Sequence, residues 1–160
     1  MTPTFPPAGT IVLSVLACVL GGYALRGQRL TESRGRETTC GPLCLTFCAV
    51  WLGTQATVRE VEKSSGMDEK GVSLWGLGQA ARRVVLERRT YTLSLADLHR
   101  VTPSTPAIAH VDRNHFVVVW MMRPDEVTVI EPHFTLSHTS LRKFGRRWDG
   151  NILVISRPGQ

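Results

Sequence analysis

Apolar residues along this chain change their period twice. From residue 8 to residue 25 they form a nearly unbroken run, and no charged side chain occurs before Arg26. Between residues 42 and 84 they recur at three- and four-residue intervals, the spacing that lines one face of a helix. From residue 88 onward they fall into short β-branched and aromatic runs separated by turn residues, which reads as strands.

Each regime predicts particular elements. Residues 8–25 are long and apolar enough to span a bilayer as a helix. Residues 26–36 are polar and charged, a linker. The helical regime opens at Pro42, a residue tolerated in a first helical turn, and runs to about residue 52, with Gly53 suited to the C-terminal cap. Thr57-x-x-Glu60 is a capping box opening a second helix that ends near Gly66. After a polar turn at residues 67–71, Ser73 caps a third helix over residues 74–84, with Leu74, Leu77, Ala80, Ala81 and Val84 on one face. Residues 88–93 are a candidate strand, and Ser94-x-x-Asp97 caps a short helix carrying Leu95, Leu98 and Val101. The loop 102–106 follows. Strands are expected at 107–111, 115–122, 126–130 and 135–137, broken by Asp112-Arg113-Asn114, Pro124-Asp125 and Pro132-His133. Ser140 opens a helix to Arg147, and residues 151–156 form a last strand. Helices come first and an antiparallel sheet second, an α+β arrangement rather than alternating βαβ units. The expected organisation is a transmembrane anchor at 1–25, a linker at 26–36 and one folded domain at 37–160.

Composition adds constraints. With 42% hydrophobic and 20% charged residues in 160, the chain has the balance of a folded protein, which argues against disorder. The formal charge of +6 raises nucleic acid as a partner. The basic residues, however, are scattered in pairs (Arg82-Arg83, Arg88-Arg89, Arg146-Arg147) without a basic–aromatic stripe, so no nucleic-acid partner is expected. No Lys or Arg precedes the apolar run, unlike a secretory signal peptide. Arg26, Arg29, Arg34 and Arg36 follow it closely, and by the positive-inside rule they put the domain on the cytoplasmic face of a single-pass anchor. The competing reading of residues 8–25 is a buried helix of the domain, although such helices rarely go so long without charge.

Chemistry enters with the cysteines. Cys18 lies inside the apolar run and reads as a small hydrophobe. Cys40, Cys44 and Cys48 recur every four residues along one side of a helix, a spacing that fits neither a disulfide framework nor the C-x2-C pairs of zinc sites. No metal or cofactor is expected, and unpaired thiols suit a reducing compartment. Cys44 and Cys48 read as core positions. Cys40 stands at the helix start, where orphan N–H groups and the positive end of the dipole favour a thiolate, the reactive form of the side chain.

A cysteine nucleophile needs a base, and the base an orienting group. Of His99, His110, His115, His133 and His138, His115 stands out because it begins the strongest strand, a rigid place to present an imidazole. Glu131 ends the next strand. If residues 115–122 and 126–130 pair as a hairpin through Pro124-Asp125, His115 and Glu131 become neighbours at one sheet edge. Each also has a plain structural reading, a sheet histidine and an exposed strand-end carboxylate.

Together these stretches resemble a known family. Cys40-Gly41-Pro42-Leu43-Cys44-Leu45 is similar to the nucleophile motif of the bacteriocin-processing, double-glycine leader peptidases, which are papain-like cysteine peptidases. Gly71-Val72-Ser73-Leu74 resembles that family's entry into its third helix. Pro106-Ala107-Ile108-Ala109-His110-Val111 with Asn114-His115-Phe116-Val117-Val118-Val119 resembles its catalytic histidine region. Val127-Thr128-Val129-Ile130-Glu131-Pro132 matches the stretch carrying its third triad member, and Phe144-Gly145-Arg146-Arg147-Trp148 its closing helix. The resemblance covers residues 37–155 and implies a papain-like fold in which Cys40 attacks a peptide carbonyl, His115 carries the proton and Glu131 holds His115. Two positions depart from it. The family usually has Asp where this chain has Glu131, and its oxyanion glutamine, six residues before the cysteine, is here Arg34. The nearest upstream glutamine is Gln28, and Thr38 is the side chain expected to compensate. The implied function is cleavage of peptides, with double-glycine leaders of exported peptides as candidate substrates. Family members are often domains of ATP-driven exporters. This chain shows no G-x-x-x-x-G-K-[ST] phosphate loop, so a separate ABC-type exporter is the expected partner. The alternative is a catalytically silent peptide-binding module attached to a secretion system.

Overall fold

The computed structural model of the chain describes residues 37–159. The span expected at 8–25 and the linker at 26–36 lie outside them. Among the described residues no helix is long and apolar enough to cross a membrane.

Helices α1 (Cys40–Trp51), α2 (Val58–Ser65) and α3 (Leu74–Arg83) come first. Strands β1 (Glu87–Thr92), β2 (Ala107–Val111), β3 (His115–Met122), β4 (Glu126–Ile130) and β5 (Leu136–Ser140) follow. Helix α4 (Leu141–Arg147) leads into the last strand, β6 (Trp148–Ser156). The six strands form one sheet in the order β1-β6-β2-β3-β4-β5, every neighbouring pair antiparallel. This is the α+β architecture the pattern predicts.

Capping chemistry sets most helix ends. The Thr57 hydroxyl accepts from the Glu60 N–H and the Glu60 carboxylate from the Thr57 N–H, a reciprocal pair that satisfies two donors at the α2 start. The Ser73 hydroxyl accepts from the Gly76 N–H at the start of α3. Helix α1 closes with Gly53 at φ 83°, its N–H donating to Val50 and that of Thr54 to Ala49, which satisfies carbonyls of the last turn.

Helix α1 begins two residues earlier than Pro42 implies. A 3₁₀ turn, Glu37–Thr39, feeds straight into it, so Cys40 already has helical backbone. Pro42 then sits third in the helix, still inside the turn where an N–H would have no partner. Two strand boundaries also differ by three residues. β5 runs to Ser140 rather than Ser137, and β6 starts at Trp148 rather than Asn151, because a bulge opposite His110 lets it resume pairing with β2 at Val111.

The sheet separates two apolar layers. On one face Ala107, Ala109, Val117, Val119, Val127 and Val129 pack with Leu98, Phe144 and Trp148. Alternation along β3 turns Phe116 and Trp120 the other way, toward α1. There Phe47 meets the Trp120 ring edge-on at 5.6 Å and Trp51 meets it at 4.3 Å. The Trp51 indole N–H donates to the Pro103 carbonyl at 2.7 Å, so its one polar atom is satisfied in this contact. Close approach of α1 to β3 depends on Gly41. A Cβ there would lie 2.6 Å from Val72 Cγ1 and 3.2 Å from the Phe116 ring. The head of α1 is thereby held against the sheet at the strand that begins with His115.

Candidate active site

Cys40 is the first residue of α1 and is buried, with 5% of its surface exposed. Its thiol and the His115 imidazole are hydrogen-bonded. The other side of the ring meets Glu131: Nε2–H donates to Oε2 at 2.9 Å. With Nε2 so engaged, Nδ1 is the ring nitrogen left for the sulfur. Cys40, His115 and Glu131 thus form one hydrogen-bonded row, assembled from a helix start, a strand start and a strand end.

Local structure fixes each member. His115 pairs with Val111 across a turn whose Asp112 and Arg113 have φ of 51° and 68°. The Asp112 N–H donates to the Arg147 carbonyl at 2.8 Å. The Arg147 guanidinium in turn grips the Asp112 carboxylate through Nε and Nη2, at 2.9 and 2.7 Å from Oδ2. The hairpin through Pro124-Asp125 forms as expected, with Arg123 and Glu126 exchanging backbone hydrogen bonds. Beyond β4, the Glu131 N–H donates to Thr135 and its carbonyl accepts from Phe134. Phe134 lies at φ 61° with its ring 6.0 Å from that of Phe47, tying the Glu131 turn to α1.

The electrostatics follow from these contacts. The Cys40 hydrogen bond, then the Glu131 hydrogen bond, raise the His115 pKa from 6.5 to about 9, against a lowering from burial. The bond from His115 holds the Glu131 carboxyl below its ordinary range, outweighing desolvation. Burial pushes the Cys44 thiol well up, with Cys48, Cys40 and Glu131 adding to it, and burial does the same to Cys48. Those two thiols are core groups; Cys44 donates to the Phe116 carbonyl at 3.4 Å. A buried thiol facing an imidazole that favours its charged form, itself backed by a carboxylate, can pass its proton to the ring and act as a nucleophile.

The other candidates stand apart from this row. His99 is exposed and bonds to the Ala96 carbonyl. His110 pairs with Asp149 at 2.5 Å across the β6 bulge. His138 contacts Thr128 and Glu126 near the β5 edge. Thr38 is half-buried, with Gly71 against it. Cys18, Gln28 and Arg34 lie outside the described residues. Among the described residues no cluster of three or more His, Cys, Asp or Glu is placed to hold a metal. Sequence reasoning missed Asp112 and Arg147 at this site, since it read one as a turn residue and the other as a helix end and half of a basic pair.

Comparison with known proteins bears on the fold and the family. An uncharacterized protein of Methanothermobacter thermautotrophicus is 29% identical over 132 residues, covering 82% of this chain and 92% of that one. The lactococcin-G-processing and transport ATP-binding protein LagD of Lactococcus lactis is 23% identical over 126 residues, which are 76% of this chain but only 18% of LagD. Among solved structures, the peptidase domain of Streptococcus ComA, a bi-functional ABC transporter involved in quorum sensing, matches with a TM-score of 0.68 at 20% identity. That match covers 78% of this chain and 95% of the domain. A double glycine motif protease from an AMS/PCAT transporter, in complex with its leader peptide, matches with a TM-score of 0.70 at 21% identity, covering 78% and 88%. Those structural likenesses establish the fold. Residues 30–159 match the sequence profile of the Peptidase C39 family, so the chain belongs to that family of cysteine peptidases.

Proposed function

We propose that this chain cleaves peptides by thiol catalysis, with Cys40 as nucleophile, His115 as proton carrier and Glu131 as the group that orients His115. The observation that carries the reading is the simultaneous engagement of His115 by the Cys40 thiol and the Glu131 carboxylate. Transfer of the Cys40 proton to His115 frees the thiolate to attack the carbonyl. The imidazolium then returns its proton to the leaving amine, and water releases the acyl group by the same route in reverse. Glu131 holds the ring in one orientation and stabilises its charge through both steps.

Double-glycine-type leaders of exported peptides are the substrate class this reading favours, supported by family membership and by the leader-bound relative. The reading places the protein on the cytoplasmic face of a membrane, anchored through residues 8–25. A separate ABC-type exporter is the partner, in keeping with the transport function in the name of LagD. The test is incubation of the full chain in detergent or vesicles with a synthetic double-glycine leader peptide, with Cys40→Ala and His115→Ala as controls. Cleavage after the glycine pair that both substitutions abolish supports the reading; turnover surviving both refutes the mechanism.

One observation favours a second reading. Arg34 stands where the resemblance places an oxyanion glutamine, and loss of one such donor costs on the order of 100- to 1000-fold in rate. A silent peptide-binding module would bind leader peptide in calorimetry yet leave it intact at every pH.

A further inference from the structure

We propose that Arg147 is a positioning residue for His115: by clamping Asp112 in the β2–β3 turn it fixes where the imidazole stands between Cys40 and Glu131. The inference rests on the reading of His115 as the proton carrier.

The turn before His115 needs something to hold it. Asp112 and Arg113 both occupy the left-handed region, at φ 51° and 68°, a conformation that side-chain-bearing residues avoid. Such backbone persists where its surroundings over-determine it. Arg147 supplies two of the contacts that hold it. The Arg147 carbonyl accepts the Asp112 N–H at 2.8 Å, and its guanidinium holds the Asp112 carboxylate through two nitrogens. A partly exposed ion pair contributes little as a point charge. A two-nitrogen fork joined to a backbone hydrogen bond specifies orientation instead, which an ammonium cannot reproduce.

The clamp is anchored. Arg147 ends α4 between Phe144 and Trp148, whose rings lie 5.7 Å apart in the apolar layer beneath the sheet. Cys40 from α1 and Glu131 from beyond β4 bond the His115 ring, and Asp112 in the turn lies within electrostatic reach of it. Arg147 acts on two of them, bonding Asp112 and lying within electrostatic reach of Glu131. Displacing a catalytic group by about 1 Å costs on the order of 100-fold in rate, so a small tilt of this turn is enough to matter.

The experiment compares full-length wild type with Arg147→Gln, Arg147→Lys, Asp112→Asn and the double variant Asp112→Asn/Arg147→Gln. The exposed neighbour Arg146→Gln serves as a control of equal charge change. The readouts are the His115 ring titration by carbon-13 NMR and the split between kcat and KM on a leader peptide. Arg147→Gln is expected to lower kcat roughly 10- to 100-fold with KM little changed, and to move the His115 titration. Arg147→Lys should recover only part of the loss, and the double variant should be no worse than the weaker single variant. Wild-type kcat and titration in Arg147→Gln, the same loss in Arg146→Gln, or fully additive losses would overturn the proposal. Should Arg147→Gln fail to fold by circular dichroism, Asp112→Asn decides by the same readouts. If wild type cuts no peptide but the His115 titration still follows Arg147, the clamp stands and the proposed function does not.

Discussion

Replacing Glu131 with Gln tests the electrostatics of the site without disturbing its shape. The amide keeps an oxygen acceptor for His115 Nε2–H but removes the charge that favours imidazolium. An upward shift from 6.5 to about 9 corresponds to about 3 kcal/mol of preference for the charged ring. Less than a third of either side chain is exposed, so solvent screens the pair only in part. Cys40 supplies the largest share of the shift and Glu131 the next. Exchanging a charge-assisted hydrogen bond for a neutral one forfeits about 1–1.5 kcal/mol, so the titration should fall by about one pH unit. Because the folded value lies above the unfolded one, the stabilisation is complete below the unfolded value of 6.5 and is lost as pH rises through about 9. Glu131→Gln should narrow that window from its alkaline side. Carbon-13 NMR of labelled His115 in the full chain reads the shift directly, and urea unfolding at two pH values reads its effect on stability. A wild-type ring that titrates at or below 6.5, or a Glu131→Gln ring that titrates where wild type does, would refute this account.

Four further outcomes follow from the structure. Iodoacetamide near neutral pH should label Cys40 ahead of Cys44 and Cys48, whose thiols burial pushes up; equal labelling in mass spectrometry would remove the case for one activated thiol. Val85, exposed and at φ 59° where α3 ends, should gain about 1 kcal/mol in urea unfolding when replaced by Asn. Gly76→Ala should lose about 1–3 kcal/mol, because its Cβ would lie 2.3 Å from the Ser65 carbonyl oxygen. Glu131→Asp should lower kcat on a leader peptide and move the His115 titration down, since the shorter carboxylate falls short of Nε2.

Much of the helical half was legible because its signals are local. Thr57 with Glu60, Ser73, Gly53 and Gly66 each satisfy or terminate backbone groups within a few residues, and the structure uses them for those purposes. The β3–β4 hairpin was legible for the same reason. The place of β6 was not. It inserts between β1 and β2, pairing Thr92 with Asn151 and Ala107 with Val154. Nothing within Ile152-Leu153-Val154-Ile155 distinguishes a strand between two partners from one at an edge, since long-range pairing leaves no local periodicity.

The site divides along the same line. Cys40, His115 and Glu131 were visible because each occupies an element end, where residue type and backbone position carry chemical meaning. Their meeting depends on contacts that the local pattern does not contain. Gly41 admits the Phe116 ring, and Phe47 ties α1 to both Trp120 and Phe134. β3–β4 pairing ends at Val118 opposite Ile130. Glu131 lies just past that strand end, where its backbone turns to Thr135, and its carboxylate reaches His115 Nε2 at 2.9 Å. Asp112 and Arg147 escaped notice for the converse reason. A turn and a basic pair fully account for their residue types, and a separation of 35 positions along the chain hides that one holds the other in place.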